Sequence, residues 1–307
     1  MNKQTTPLIL GAVAILIAVV GFVAFGGGDD DDAASTEPAQ TVQRSDEFPL
    51  DFSVNNLEPL SEGIYEGWIV RGDDKFTFGT FNTTESGAID GNLSLDGVEP
   101  QDGDMVVVTI EPVPDDDPEP SGVIILAGAL ENGSAELAFP IDVNEFGGQY
   151  ILATPTNGDG TNETSGIWFV DPSDLSASLN IPDAPDGWVY EGWVVHQGQP
   201  ITSGKFTSAE GFDLFDGFSG PEDGPPFPGE DYLENLPSPF TDPLELADGE
   251  TMIVVSIEPD INGTDPTGDG PAQVKPLSAA IPAGAADHFL YDLSTSDESV
   301  PSGSASL

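Results

Sequence analysis

Hydrophobic residues occur along this chain in short runs that Gly, Asp and Pro interrupt. Between residues 50 and 156 these runs read IYEGWIV, KFTFGTF, MVVVTIEP, GVIILAGAL, AELAFPI and QYILATPT. Runs of this length, rich in β-branched and aromatic residues and separated by turn residues, are typical of an all-β sandwich or barrel. We therefore predict an all-β fold without a long helix beyond the N-terminal region.

Two of these patterns predict different positions in a sheet. KFTFGTF alternates, which puts Phe76, Phe78 and Thr80 on one face and Thr77, Gly79 and Phe81 on the other. Such alternation indicates a half-exposed strand. MVVVTI and VIIL are apolar at consecutive positions, so both faces are apolar and both runs are predicted to be central strands.

The strongest pattern is a repeat. YEGWIV at Tyr65–Val70 returns as YEGWVV at Tyr190–Val195, and MVVVTIEP at Met105–Pro112 returns as MIVVSIEP at Met252–Pro259. A P-[ST]-G turn follows each EP sequence. Two long words in the same order indicate an internal duplication. We predict two tandem β-sandwich domains, at residues 48–156 and 165–297.

The second copy carries an inserted segment. Phe206 and Met252 lie 46 positions apart, whereas the corresponding Phe81 and Met105 lie 24 apart. The additional residues, 212–240, mix Phe, Pro, Gly and acids and do not predict a regular strand. A loop of this length in a compact domain is either functional or disordered. Its aromatic residues predict packing, either on its own domain or against a partner or ligand.

The N-terminal region predicts a membrane anchor. Pro7–Phe25 contains nineteen residues without a charge, and a helix of that length is about 28 Å long, close to the thickness of the hydrocarbon core. Lys3 precedes it and acids follow it, which places residues 1–6 in the cytoplasm and the rest outside. Residues 26–47 are predicted to be an acidic flexible linker. A cleaved signal peptide is the alternative.

Composition narrows the classes of partner and site. The chain has 55 Asp and Glu against 6 Lys and Arg, a net charge of −49, which argues against nucleic-acid binding. Salt adaptation and cation binding are two alternative explanations of this negative charge. Cysteine is absent, which excludes disulfides and thiolate metal sites. The two histidines, His196 and His288, are predicted to be ordinary surface residues. Residues 298–307 are predicted to form a disordered tail.

The carboxylates in the repeated words are the only candidates for acid–base chemistry. They are Glu66 and Glu191 in YEGW, and Glu111 and Glu258 in the EP sequences. Paired carboxylates act in glycosidases, but recurrence in both copies favours a structural role such as a strand-end hydrogen bond. We therefore predict no catalytic residues, no cofactor-binding residues and no metal ligands.

Other motifs have structural interpretations that compete with functional ones. The four tryptophans, Trp68, Trp168, Trp188 and Trp193, are predicted to be core residues rather than a sugar-stacking platform. The Gly-rich segments 157–163 and 262–270 lack the EF-hand ligand order and are predicted to be turns. Five N-x-[ST] sequences, at Asn82, Asn92, Asn132, Asn162 and Asn262, are acceptors for glycosylation in a host that modifies exported proteins.

In these repeated sequences, the chain resembles a pair of extracytoplasmic domains of the anti-sigma-K factor type. The resemblance rests on YEGW followed by G-x-F, then VTIEP or VSIEP, then the P-[ST]-G turn and an apolar strand, over most of residues 50–155 and 165–295. It implies a membrane-tethered β-sandwich outside the cell. Family members that restrain a sigma factor carry a cytoplasmic helical domain before the membrane helix, and only residues 1–6 occupy that side here, so sigma binding is not expected.

The sequence thus predicts a single-pass protein of the cell membrane whose C-terminal domains lie outside and perform no chemistry. The expected roles are envelope sensing or regulation, or binding of an extracellular protein or glycan. A structural or adhesive surface protein is the alternative, and an envelope hydrolase is a third.

Overall fold

The structure is a computed structural model that describes residues 47–158 and 160–307. The predicted cytoplasmic stub (1–6), membrane helix (7–25) and nearly all of the linker (26–47) lie outside the described residues. Within the part of the chain that is described, no helix is long and apolar enough to span a membrane.

The prediction of an all-β fold is confirmed for this region. Its strands up to residue 152 are β1 (Glu47–Phe48), β2 (Asp51–Asn55), β3 (Gly63–Arg71), β4 (Asp74–Thr83), β5 (Ile89–Gly91), β6 (Leu95–Asp96), β7 (Met105–Pro112), β8 (Ile124–Ala129), β9 (Ser134–Ala138) and β10 (Gly147–Leu152). A short 3-10 turn, Pro155–Asn157, follows. The later strands are β11 (Gly166–Trp168), β12 (Val170–Asp171), β13 (Ser176–Ala177), β14 (Leu179–Asn180), β15 (Trp188–His196), β16 (Gln199–Phe206), β17 (Gly229–Asp231), β18 (Thr251–Pro259), β19 (Leu277–Ala280), β20 (Tyr291–Asp292), β21 (Ser294–Thr295) and β22 (Ser302–Ser306).

The strands form antiparallel sheets of unequal size. The largest has eight strands in the order β2-β22-β9-β8-β7-β3-β4-β5, and a five-stranded sheet has the order β16-β15-β18-β19-β21. A second five-stranded sheet joins β14, β10, β11 and β17, with β20 also paired to β10. The runs MVVVTI and VIIL fall in β7 and β8, which have neighbours on both sides, so their prediction as central strands is confirmed.

The internal duplication is confirmed in the hydrogen-bond register. β3 pairs with β4 so that Tyr65 lies opposite Phe81, and β15 pairs with β16 so that Tyr190 lies opposite Phe206. Both pairs have an irregularity at the same place, directly after the Gly of YEGW. The MVVVTIEP and MIVVSIEP strands then pair with the other edge of β3 and β15.

The predicted faces of KFTFGTF are wrong at one residue. Phe78 and Phe81 were expected on opposite faces, yet both are almost fully buried in the core. The register explains this, because Gly67 pairs with Gly79 while Trp68 pairs with Thr77, which leaves Phe78 as the extra residue of a β-bulge. Its ring lies where a side chain at position 67 would be, so the Gly of YEGW makes room for it.

The two copies do not form separate domains, because they exchange strands. The described residues cluster as one compact unit. β10, at the end of the first copy, pairs with β11, β14 and β20 of the second. In return, β22 lies between β2 and β9 of the first copy. The predicted disordered tail, 298–307, is therefore wrong, since Ser302–Ser306 form an interior strand of the largest sheet.

One hydrophobic core joins the two copies. Phe139 of the first copy packs edge-on against Trp188 of the second, with ring centroids 5.3 Å apart. Phe146 packs similarly against Tyr190 at 6.1 Å. A smaller cluster surrounds Trp168 and contains Ile151, Ala153, Val170 and Phe227. This smaller cluster is the base on which the inserted segment rests.

Candidate functional site

The repeated Trp and Glu residues form a buried hydrogen-bond chain in the first copy. The Trp68 indole Nε1 donates to Thr109 Oγ1 at 2.8 Å, and the Thr109 hydroxyl donates to Glu111. Glu111 also accepts the backbone N–H of Ser121, at 3.0 and 3.1 Å to its two oxygens. Glu111 therefore fixes the P-[ST]-G turn against the strand, and burial raises the pKa of its carboxyl.

The second copy repeats this chain with small changes. Trp193 Nε1 donates to Ser256 Oγ at 2.8 Å, and the Ser256 hydroxyl donates to Glu258. Glu258 accepts the backbone N–H of Ala272 at 2.9 and 3.2 Å. Burial raises the pKa of Glu258 to about 7. The strand-end hydrogen bond predicted for the two EP glutamates is thus present in both copies.

The YEGW glutamates differ between the copies in one respect. Glu66 accepts the Thr77 hydroxyl, and Glu191 accepts the Thr202 hydroxyl at 2.5 Å. Only Glu191 also has a cation beside it among the described residues, with Lys205 Nζ 3.5 Å away. Burial raises the pKa of the Glu191 carboxyl. None of these glutamates lines the cavity described next.

The inserted segment lines a cavity of about 650 Å³ that is open to solvent on one side. One wall comes from the insert, and the other comes from the end of the first copy and from β11. The lining residues are Thr156, Trp168, Phe212, Asp213, Leu214, Phe215, Asp216, Ser219, Gly220, Pro221, Glu222, Asp223, Gly224, Phe227 and Gly229. The insert was expected to contain no strand, but Gly229–Asp231 form the short strand β17 against β11.

Thr156 and three glycines fix the insert to this base. Gly220 N donates to Thr156 Oγ1 at 2.7 Å, and the Glu222 backbone N–H donates to Thr156 O at 2.9 Å. Gly224 and Gly229 lie against the Trp168 indole so closely that a Cβ at either position would overlap it. The insert therefore covers Trp168 and packs on its own unit.

Two buried carboxylates of β17 hold the cavity wall in place without lining the cavity. Asp231 accepts Trp168 Nε1 at 2.7 Å and the backbone N–H of Thr156 at 2.9 Å. Glu230 accepts the Ser219 hydroxyl and the more distant Phe218 N–H at 3.4 Å. Both side chains are fully buried. Burial raises the pKa of Glu230 to about 8 and also raises the pKa of Asp231.

A third carboxylate, Asp213, lies in the cavity wall. It accepts the backbone N–H of Phe215 at 2.9 Å and that of Gly229 at 2.8 Å, which ties the start of the insert to β17. Burial raises its pKa to about 6 despite these hydrogen bonds. Asp213 is thus a carboxylate that both shapes the cavity and faces it.

The cavity wall combines negative charge with apolar surface. Its charged members are Asp213, Asp216, Glu222 and Asp223, and no lining residue is basic. The last three are exposed to solvent. Phe212 and Leu214 are 68% and 79% exposed, so they present apolar surface without a partner. Because glycines cover the Trp168 ring, the accessible apolar surface comes from the insert.

The remaining predicted residues have mixed outcomes. All four tryptophans are buried, which confirms their prediction as core residues. His288 is exposed as predicted, but His196 is not an ordinary surface residue: its side chain is 16% exposed and contacts Thr251 and Asp248. Among residues 47–158 and 160–307, no three His, Asp or Glu side chains are grouped closely enough to hold a metal ion.

Comparison with known proteins adds no assignment, since no protein-family model, no curated protein and no solved structure matches this chain.

Proposed function

We propose that this protein is a non-enzymatic, membrane-anchored binding protein whose duplicated β unit lies outside the cell, and that the inserted segment of the second copy forms its binding site. The observation that carries the proposal is the cavity of about 650 Å³ under the insert. Ligand sites are concave, mostly preformed and typically about 300–1,000 Å³ in volume. The first copy, with a shorter connection at the same place, serves as scaffold.

The location in the envelope is supported by sequence features. The uncharged stretch 7–25 has the length of a membrane span, and the flanking charges favour an exterior C-terminal part. The resemblance of the repeated words to anti-sigma-K extracytoplasmic domains agrees with this orientation. A tandem β-sandwich ancestry is compatible with the shared register of β3–β4 and β15–β16, and a role in envelope sensing or regulation follows if ligand binding is signalled onward.

The chemistry of the cavity favours an organic cation. Four carboxylates and no basic residue line it, so a cation is attracted and an anion is repelled. Phe212 and Phe215 add aromatic surface, and a cation over an aromatic face gains roughly 0.5–2 kcal/mol. The ligand group we propose is an ammonium or guanidinium group on an apolar stem, carried by a small amine or by a Lys or Arg side chain of an extracellular protein.

Calorimetric titration of the full chain in detergent tests this proposal. The probes are butylammonium, butylguanidinium, a short Lys- and Arg-containing peptide, the neutral butanol analogue and a neutral oligosaccharide. We expect the cations to bind and both neutral probes to fail, with binding weakened by added salt because the charges are solvent-accessible. The peptide and the small amines distinguish the two sources of the cation.

A matched pair of variants locates the site. Replacing Asp216, Glu222 and Asp223 by their amides removes three exposed charges from the cavity and should abolish cation binding without unfolding the protein. Replacing the exposed acid Asp287 by Asn leaves the cavity untouched and should leave affinity unchanged. Equal binding by the oligosaccharide, or full affinity in the triple variant, contradicts the proposal. Assembly of the full chain into a regular layer without any ligand would support the structural alternative instead.

A further inference from the structure

The structure separates the five N-x-[ST] sequences into two kinds. At Asn82 the side-chain amide is occupied at both ends. Its Oδ1 accepts the Leu60 N–H at 3.0 Å, and its Nδ2 donates to the Leu60 carbonyl at 3.0 Å. These two hydrogen bonds to the Leu60 backbone hold the segment before β3 in place. A sugar on Nδ2 of Asn82 would lie where Leu60 is.

The other four asparagines are all exposed, namely Asn92, Asn132, Asn162 and Asn262. Within residues 47–158 and 160–307, none of the side-chain hydrogen bonds uses their amides, so no contact of the kind that holds Asn82 engages their Nδ2 groups. Asn92 directly follows β5, and Asn162 lies in the turn before β11. Each is therefore accessible to a modifying enzyme in the folded protein as well as during export.

Two of the four lie at hairpin tips. Residues Glu131 and Ser134 exchange both backbone hydrogen bonds, at 2.8 and 3.1 Å, around Asn132 and Gly133. Ile261 and Thr264 do the same, at 2.9 and 3.0 Å. The central φ angles are positive in both loops, as a type I′ turn requires. This turn explains Asn followed by Gly. In the first loop the Ser134 hydroxyl also donates to the Glu131 carbonyl at 3.4 Å, so the turn gives that hydroxyl a local partner as well.

We propose that Asn92, Asn132, Asn162 and Asn262 carry N-linked glycans and that Asn82 does not. The proposal rests on the exterior location given above, because the reaction belongs to exported proteins. The glycan comes from a lipid-phosphate-linked sugar donor. Asn Nδ2 bonds to the sugar C1, the bond from C1 to the phosphate oxygen breaks with its electron pair on oxygen, and the released phosphate takes the amide proton.

The test uses the full chain purified from the membranes of the organism that makes it, with the glycosylated positions mapped by mass spectrometry of peptides. We expect a glycan mass on each of the four exposed asparagines and an unmodified Asn82. Two variants provide a matched pair. Ser134→Ala destroys the motif but keeps the Asn132 turn and should remove one glycan, whereas Thr84→Ala destroys the Asn82 motif and should remove none.

Protease treatment of intact cells runs alongside and separates two failures. If the domains are degraded from outside and an exposed asparagine is wholly unmodified, the inference is overturned for that site while the location stands. A glycan on Asn82 in the folded protein overturns the structural selection. If the domains are protected inside the cell, both the location and this inference fail.

Discussion

A proline at position 304 is the sharpest test of the strand exchange. Ser304 is the middle residue of β22, where it lies opposite Ser53 of β2 on one side and Glu136 of β9 on the other. Proline removes the backbone N–H, and its ring prevents close approach of the neighbouring strand, so it is confined to sheet edges. If residues 298–307 were a disordered tail, this substitution would have no effect.

The size of the effect follows from what the proline leaves behind. A backbone carbonyl that loses its donor inside a sheet costs about 1–3 kcal/mol, and displacement of the strand also exposes Ala305, which is 2% exposed. We expect a loss of about 3 kcal/mol in unfolding free energy for Ser304→Pro, which corresponds to about 6–12 °C in Tm for a unit of this size.

Thermal unfolding of the full chain in detergent, followed by tryptophan fluorescence, measures this loss. The control is Ser304→Ala, which removes only the exposed hydroxyl contact with Ser53 at 3.0 Å and should stay within about 0.5 kcal/mol of the parent. A proline variant that melts within about 1 °C of the alanine variant would refute our placement of the chain end in the sheet.

Three further predictions concern the core and the buried charges. The pKa of Glu230 rises from 4.5 to about 8 on folding, so its contribution to stability is complete below pH 4.5 and is lost as the pH rises through 8. The free energy of unfolding, measured with denaturant, should fall by up to about 1.4 kcal/mol per pH unit across that window. Glu230→Gln should make this free energy less dependent on pH than in the parent. Gly67→Ala should cost about 1–3 kcal/mol, measured by urea unfolding, because the new methyl group overlaps the Phe78 ring; no loss would contradict the bulge geometry. Lys205→Met leaves the buried Glu191 without its cation and should raise the pKa of that carboxyl further, which NMR titration of the side chain detects; an unchanged pKa would show that the contact at 3.5 Å has no electrostatic weight.

The sequence predicted those features that local patterns determine. The repeated words located β3 and β15, and consecutive apolar residues identified β7 as a central strand. In contrast, β22 has the sequence SGSAS, whose side chains are too small to show an apolar alternation. Its place in the sheet depends on partners that lie 251 positions away in β2 (Ser53 to Ser304) and, in β9, at Glu136, also far along the chain, and no local pattern encodes such a pairing.

Only one wall of the candidate cavity could be predicted from the sequence. The length and aromatic content of the insert, 212–240, singled it out as a functional or packing segment. The opposite wall depends on Thr156 and Trp168, which lie near the boundary between the copies and carry no motif. Their role follows from the exchange of β10 into the second copy, which brings that boundary under the insert. The Phe78 bulge was missed because strict alternation assumes one residue per register position.

The position of β22 also sets an order of events during biogenesis. The largest sheet contains a gap between β2 and β9 until Ser302–Ser306 have been synthesised. Closing a loop of some 250 residues is slow compared with local pairing. The first copy must therefore remain unfinished until β22 is available, and a chain terminated before Ser302 would display the open edges of β2 and β9 to proteases.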